Sequence, residues 1–197
     1  MPNDAATPTI DFRTFYDLET YLFDAVSPRF AADHTLTAFD FFCIIIWKAN
    51  RSKTKVVKRL LAHASSSDLD LAVKALVAAI AAVPTPKEKL QVLVANWGFL
   101  LPTASAILTV LYPDDFTVYD VRVCDMLGDF HRLANKTNYE NIWAGYTQYI
   151  AVVRKKAPAE FSLRDKDRWL WGCSFYNELQ QDIREKFTRT MPRDSDN

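Results

Sequence analysis

Apolar positions recur along this chain at helical spacing, and short polar breaks separate the runs. Asp11 stands ahead of a run over 12–26, where Phe12, Phe15, Tyr16, Leu18, Leu22 and Phe23 fall mostly on one side and Ser27-Pro28 reads as the end. The run over 37–48 holds Phe39, Phe41, Phe42, Cys43, Ile44, Ile45, Ile46 and Trp47, and is apolar almost all round, as a central buried helix would be. Its β-branched and aromatic content makes a strand over 41–47 the competing reading. Length and helical neighbours favour the helix.

Ser65 to Ser67 reads as a loop and cap, followed by an alanine-rich helix over 69–83 that turns Leu69, Val73, Leu76, Val77 and Ile80 inward. Thr85-Pro86-Lys87-Glu88 has the form of a capping box with proline in the first turn, which starts a helix over 86–96. A tight turn follows over 97–101, then a small-residue helix from Pro102 to Leu111. After a break over 113–117, Tyr119-Asp120 leads into another helix that stops at Gly128. Asn138 caps a helix over 139–156 with Trp143, Tyr146, Tyr149, Ile150 and Val153 on its core side. Ser162 caps the last helix, through about residue 187, whose buried surface is expected from Trp169, Trp171, Phe175, Leu179 and Ile183. The pattern predicts an all-α protein of about eight helices. It forms one domain over 11–187, with room for two helical lobes, between flexible ends at 1–10 and 188–197.

Composition narrows the chemistry. The 24 basic and 24 acidic residues cancel, so any contact with nucleic acid has to come from a local patch. Cys43, Cys124 and Cys173 are odd in number and far apart, and form neither a disulfide framework nor a zinc spacing. His34, His63 and His131 have no ligand partner one helical turn away, so neither a metal nor another cofactor is expected. No Gly-x-Ser-x-Gly, Walker or dinucleotide glycine pattern is present. With no signal-peptide pattern and no apolar run of spanning length, the expected location is cytoplasmic, away from membranes.

Two features carry candidate chemistry. Lys48, Arg51, Lys53, Lys55, Lys58 and Arg59 give 48–59 six positive charges and no negative one, so the stretch reads either as a solvated helix face or as a phosphate-contacting patch. The second is the turn over 97–101 together with Asp120. A turn between two helices presents backbone N–H groups at a helix N-terminus, which suits a phosphate. Asp120 reads first as a helix cap. Placed near the sugar of a nucleotide, a carboxylate there can also stabilise an oxocarbenium-like state and activate water.

These residues resemble the helix-hairpin-helix DNA glycosylase superfamily. Its hairpin has the form L-P-G-V-G-x-K/x-T-A, and Gly98-Phe99-Leu100-Leu101-Pro102-Thr103-Ala104 matches it at the first glycine and the closing Thr-Ala. Val118-Tyr119-Asp120-Val121-Arg122-Val123 is similar to the V-D-x-H/R-V segment that carries the family's catalytic aspartate, and Asp120 falls on that position. The likeness covers residues 37–128 and, more weakly, the rest.

The resemblance implies a monofunctional DNA N-glycosylase, a hydrolase of DNA repair that acts on a base flipped out of the stack. Asp120 would be its catalytic carboxylate. Gly98, Phe99, Leu100, Leu101 and Thr103 would clamp a DNA phosphate, and Lys48, Arg51, Lys53, Lys55 and Arg122 would add positive charge. Trp47 and Tyr119 are candidates for stacking on the base, and both also fit the core. Three departures bear on activity. Leu100 replaces the second hairpin glycine, and Pro102 stands where bifunctional members carry a Schiff-base lysine. Three cysteines cannot hold the four-cysteine iron–sulfur cluster of some members. A non-catalytic nucleic-acid-binding or interaction module on the same scaffold is the alternative, and a structural protein without a nucleic-acid role is a third reading.

Overall fold

The computed structural model describes residues 10–187, which are helical wherever they are regular. The α-helices are α1 (Leu18–Tyr21), α2 (Ser27–Asp33), α3 (Ala38–Ala49), α4 (Lys53–Ala64), α5 (Leu69–Ala81), α6 (Pro86–Gln91), α7 (Leu101–Leu111), α8 (Val121–Leu127), α9 (Tyr139–Lys156) and α10 (Leu163–Arg184). Eight of them run seven residues or longer. Of the expected ends at 1–10 and 188–197, Ile10 is described and exposed, and the rest lies outside the described residues.

Local chemistry sets most boundaries. Thr37 and Asp40 form a reciprocal capping box at α3, and Thr85 and Glu88 form another at α6. Asn138, Ser162 and Asp120 cap α9, α10 and α8 with their side chains. Gly128 closes α8 in the left-handed conformation, at φ 72°.

The first helical stretch departs from expectation. Asp11 caps only a 3-10 turn, Phe12–Phe15, and the helix proper starts after Asp17. It does not stop at Ser27-Pro28. A π-turn, Leu22–Val26, widens the helix just ahead, so Pro28 falls in the first turn of α2, where its missing N–H costs little. Phe12 and Tyr16 are exposed, and Leu22, Val26 and Phe30 supply the buried face instead. A second π-turn, Val92–Asn96, extends α6 to the turn before α7.

One hydrophobic cluster runs from Leu22 to Leu170. At its centre α3 packs on α7. Phe41, Ile44 and Ile45 of α3 are buried, as are Ala104 through Leu111 of α7. The small residues at the start of α7 admit another piece of backbone: the extended segment 117–120. Ser105 Oγ accepts the Tyr119 N–H at 2.9 Å. From the other side the Tyr146 and Tyr149 hydroxyls donate to the carbonyls of Thr117 and Val118, at 2.5 and 2.9 Å. Burial removes these phenols from water and raises their pKa values well above the ordinary range, so they remain neutral donors.

The last helix also differs. Its buried residues are Leu163, Lys166, Asp167, Leu170 and Ser174. Trp169, Trp171, Phe175, Leu179 and Ile183, expected inside, are exposed. Helical spacing shows that apolar residues share a side, and neighbouring elements decide whether that side is covered. Here α10 packs on α8 and α9, and Arg122 of α8 reaches the rings of Trp171 and Phe175 without covering the stripe.

Candidate active site

The pinned segment 117–120 delivers Asp120 to the start of α8. One carboxylate oxygen accepts the Arg122 backbone N–H at 2.9 Å, as a cap does. The other accepts from Lys48 Nζ at 2.5 Å. Lys48 comes from the last turn of α3, so the ion pair ties the end of α3 to the start of α8. The pair is shielded but open to solvent: the Asp120 side chain keeps 21% of its surface and that of Lys48 keeps 13%.

Asp120 and Lys48 lie on the wall of a cavity of about 630 Å³ between α3, α8 and α10. Trp47 and Trp171 supply aromatic surface, and Arg122, Arg164 and Arg168 bring further positive charge. Arg164 is held firmly. Its guanidinium lies 4.8 Å from the Phe23 ring centre and 5.1 Å from that of Trp47, and it bonds Glu19 at 2.7 Å and Asp167. Arg122 lies over Trp171 and Phe175, 5.4 and 5.8 Å from their ring centres, and pairs with Glu178.

The sequence reading missed Asp167. Its carboxyl is buried against the cavity. Loss of water pushes its pKa up to about 7; Arg164 and Lys48 pull the other way, while Asp120 and Glu19 add to the rise. The cavity therefore holds two different carboxyls. Asp120 sits at the wall paired with lysine, and Asp167 is able to hold a proton near neutral pH. Asp167 is invisible as a site in the sequence because it lies inside an unremarkable charged run, Arg164 to Arg168.

The other expected residues divide. Trp47, Lys48 and Arg122 reach the cavity. Tyr119 does not: it is buried, its ring packs against Tyr149, and its hydroxyl donates to Phe130 O at 2.7 Å, so it is no base-stacking surface. In the hairpin, Gly98 takes φ +69°, the side chains of Phe99 and Leu101 are buried, and that of Leu100 projects outward. The Phe99 N–H donates to Leu93 O at 2.8 Å and that of Thr103 to Leu100 O at 3.0 Å, so neither amide is free for a phosphate. Arg51 is exposed in a 3-10 turn, Lys53 bonds Asn50 at 3.0 Å, and Lys55 lies on α4, facing a different concavity. The positive stretch therefore splits: its first residue lines this cavity and the later ones face elsewhere.

Among the described residues, no group of three or more His, Cys, Asp or Glu side chains is arranged to hold a metal ion. The three cysteines are free, with Cys43 and Cys124 buried. No helix among the described residues is long and apolar enough to cross a membrane. Comparisons with protein-family models, with curated protein sequences and with solved structures find no match to this chain.

Proposed function

We propose that the cavity beside Asp120 receives a nucleotide extruded from DNA, and that Asp120 promotes hydrolysis of its N-glycosidic bond. The observation that carries this reading is a carboxylate oriented by Arg122 and Lys48 on the wall of an aromatic and cationic cavity of about 630 Å³. That volume falls within the range of small-molecule sites, roughly 300–1,000 Å³. Trp47 and Trp171, each with an arginine already on its ring, border the space for a base. Arg122 and Arg168 would exchange their carboxylate partners, Glu178 for one and Glu19 and Asp165 for the other, for its flanking phosphates. As the bond to the base lengthens, positive charge develops on the sugar, and Asp120 stabilises it. The departing base takes a proton from the Asp167 carboxyl, and the water that adds to the sugar carbon returns one to it. Pro102 stands at the hairpin position of the bifunctional family's lysine, so the expected product is an intact abasic strand.

The observation favouring a non-catalytic module is that both Asp120 oxygens are already engaged, one as a helix cap and one with Lys48. Incubation with duplexes carrying a panel of damaged and mismatched bases separates the readings. Abasic sites appear if Asp120 acts as proposed, and the module reading remains if none do.

A further inference from the structure

A second concavity lies between α4 and the hairpin, lined by Lys55, Lys58, Arg59, Ala62, His63 and Trp97. No acidic residue lines it. Lys55, Lys58, Arg59 and His63 make no ion pair with a carboxylate among the described residues. Arg154, Lys155 and Lys156 at the end of α9 also make no ion pair among the described residues, and what sets the α4 cluster apart is that it lines a concavity closed by Trp97.

The cluster has a shape. Positions 55, 58, 59, 62 and 63 fall on one face of α4. From Lys55 to His63 that face extends about 12 Å at 1.5 Å per residue. This exceeds a single phosphate and equals the axial rise of three to four nucleotides of a duplex strand, at about 3.4 Å each. The far wall is the hairpin. Arg59 lies across it, close enough that a Cβ placed on Gly98 would stand 3.7 Å from its Nε. Trp97 closes the floor and is stacked by His63 at 4.0 Å between ring centres. No carboxylate, amide side chain or hydroxyl lines the surface to read the edge of a base.

We infer that the face of α4 from Lys55 to His63 binds the phosphodiester backbone of a nucleic-acid strand, through charge and without reading its sequence. This surface is separate from the Asp120 cavity and stands whether or not that cavity cleaves anything. An acidic polypeptide is the other polyanion to consider. A row of point cations at one helix's spacing, without backbone partners or an apolar groove, suits evenly spaced phosphates better.

The test is fluorescence anisotropy of the full chain with a labelled 20-mer DNA duplex, measured from 50 to 300 mM NaCl. The unmodified protein should bind, with log affinity falling linearly against log salt at a slope of about −3 or steeper, the α4 face accounting for roughly three phosphates neutralised. Lys55→Ser/Lys58→Ser/Arg59→Ser should weaken low-salt binding at least about tenfold and flatten the slope by about three. Lys155→Ser/Lys156→Ser, at the end of α9, should change neither. The substituted positions are exposed, and circular dichroism checks that the helices persist. Unchanged affinity and slope in the triple variant would overturn the inference. So would competition by polyglutamate of equal charge as effective as that by unlabelled DNA. The readout involves no base release, so loss of the excision proposal leaves this result standing, and the reverse holds as well.

Discussion

Lys48 Nζ and Asp120 Oδ2 stand 2.5 Å apart although 72 positions separate them in the chain. Each was a candidate on separate grounds: Lys48 as the first charge of a basic run, Asp120 as a helix cap in a family-like motif. The fold gives them one role. Ser105, Tyr146 and Tyr149 fix the segment that carries Asp120, and the last turn of α3 carries Lys48 to meet it.

Lys48→Met keeps the aliphatic stem and removes the ammonium. It leaves a shielded carboxylate with one backbone partner. The expected loss of stability is about 1–3 kcal/mol, read from denaturant unfolding. In the excision assay the same variant should be at least about tenfold slower, because the charge that orients Asp120 is gone. Wild-type stability and rate together would show that the pair contributes to neither.

Asp167 gives the fold a pH dependence with a defined sign. Its pKa rises from 3.8 to about 7 on folding, so between those values the folded chain holds a proton that the unfolded chain releases. Stability from this group is fully present below about pH 4, is lost as pH rises toward 7, and is level above that. A shift of this size corresponds to a few kcal/mol, at about 1.4 kcal/mol per pH unit. Asp167→Asn lacks the titration. Unfolding of both proteins at pH 5 and pH 7.5 should show the wild type losing ground to the variant at the higher pH. Parallel losses would contradict a protonated Asp167.

Asp40 anchors the start of α3 in a different way. Its carboxylate is buried and accepts from Tyr21 Oη at 2.6 Å, Arg29 at 2.5 Å and Thr37 Oγ1 at 2.6 Å. Burial works against its charge, but Thr37, Tyr21 and Arg29 outweigh it and hold the pKa below the ordinary value. Asp40→Ala removes the capping box and leaves four donors without their acceptor, the Thr37 backbone N–H among them. A stability loss of about 2–4 kcal/mol is expected in denaturant unfolding. A loss below about 0.5 kcal/mol, the scale of an ordinary surface change, would show that this network does not hold α3.

What could be read in the sequence was local. Thr85, Asn138 and Ser162 cap helices because a side-chain oxygen two or three residues ahead of an N–H needs no tertiary partner. Asp120 was legible as a cap for the same reason, and Trp47, Lys48 and Arg122 proved to face the same cavity. The π-turn before Pro28 was not legible: proline ordinarily marks a stop, and a widened turn leaves no pattern in residue type. The exposed aromatic stripe of α10 was assigned to the core because periodicity records which residues share a face and not what lies against it. Glu19, Arg164 and Asp167 stayed hidden because they reach the cavity from the first and last helical stretches of the described chain. Only packing brings those stretches together.

The central claim is that Asp120 acts chemically in its cavity as well as capping α8. The most direct measurement is release of free base from damaged and mismatched duplexes by the wild type and by Asp120→Asn, which preserves the side chain's shape and an oxygen able to cap. Abasic product is expected from at least one duplex with the wild type, with a drop of at least about a hundredfold with Asp120→Asn, whose loss of stability should be no larger than that of Lys48→Met. Equal rates for the two proteins, or no base released from any duplex by the wild type, would contradict the claim.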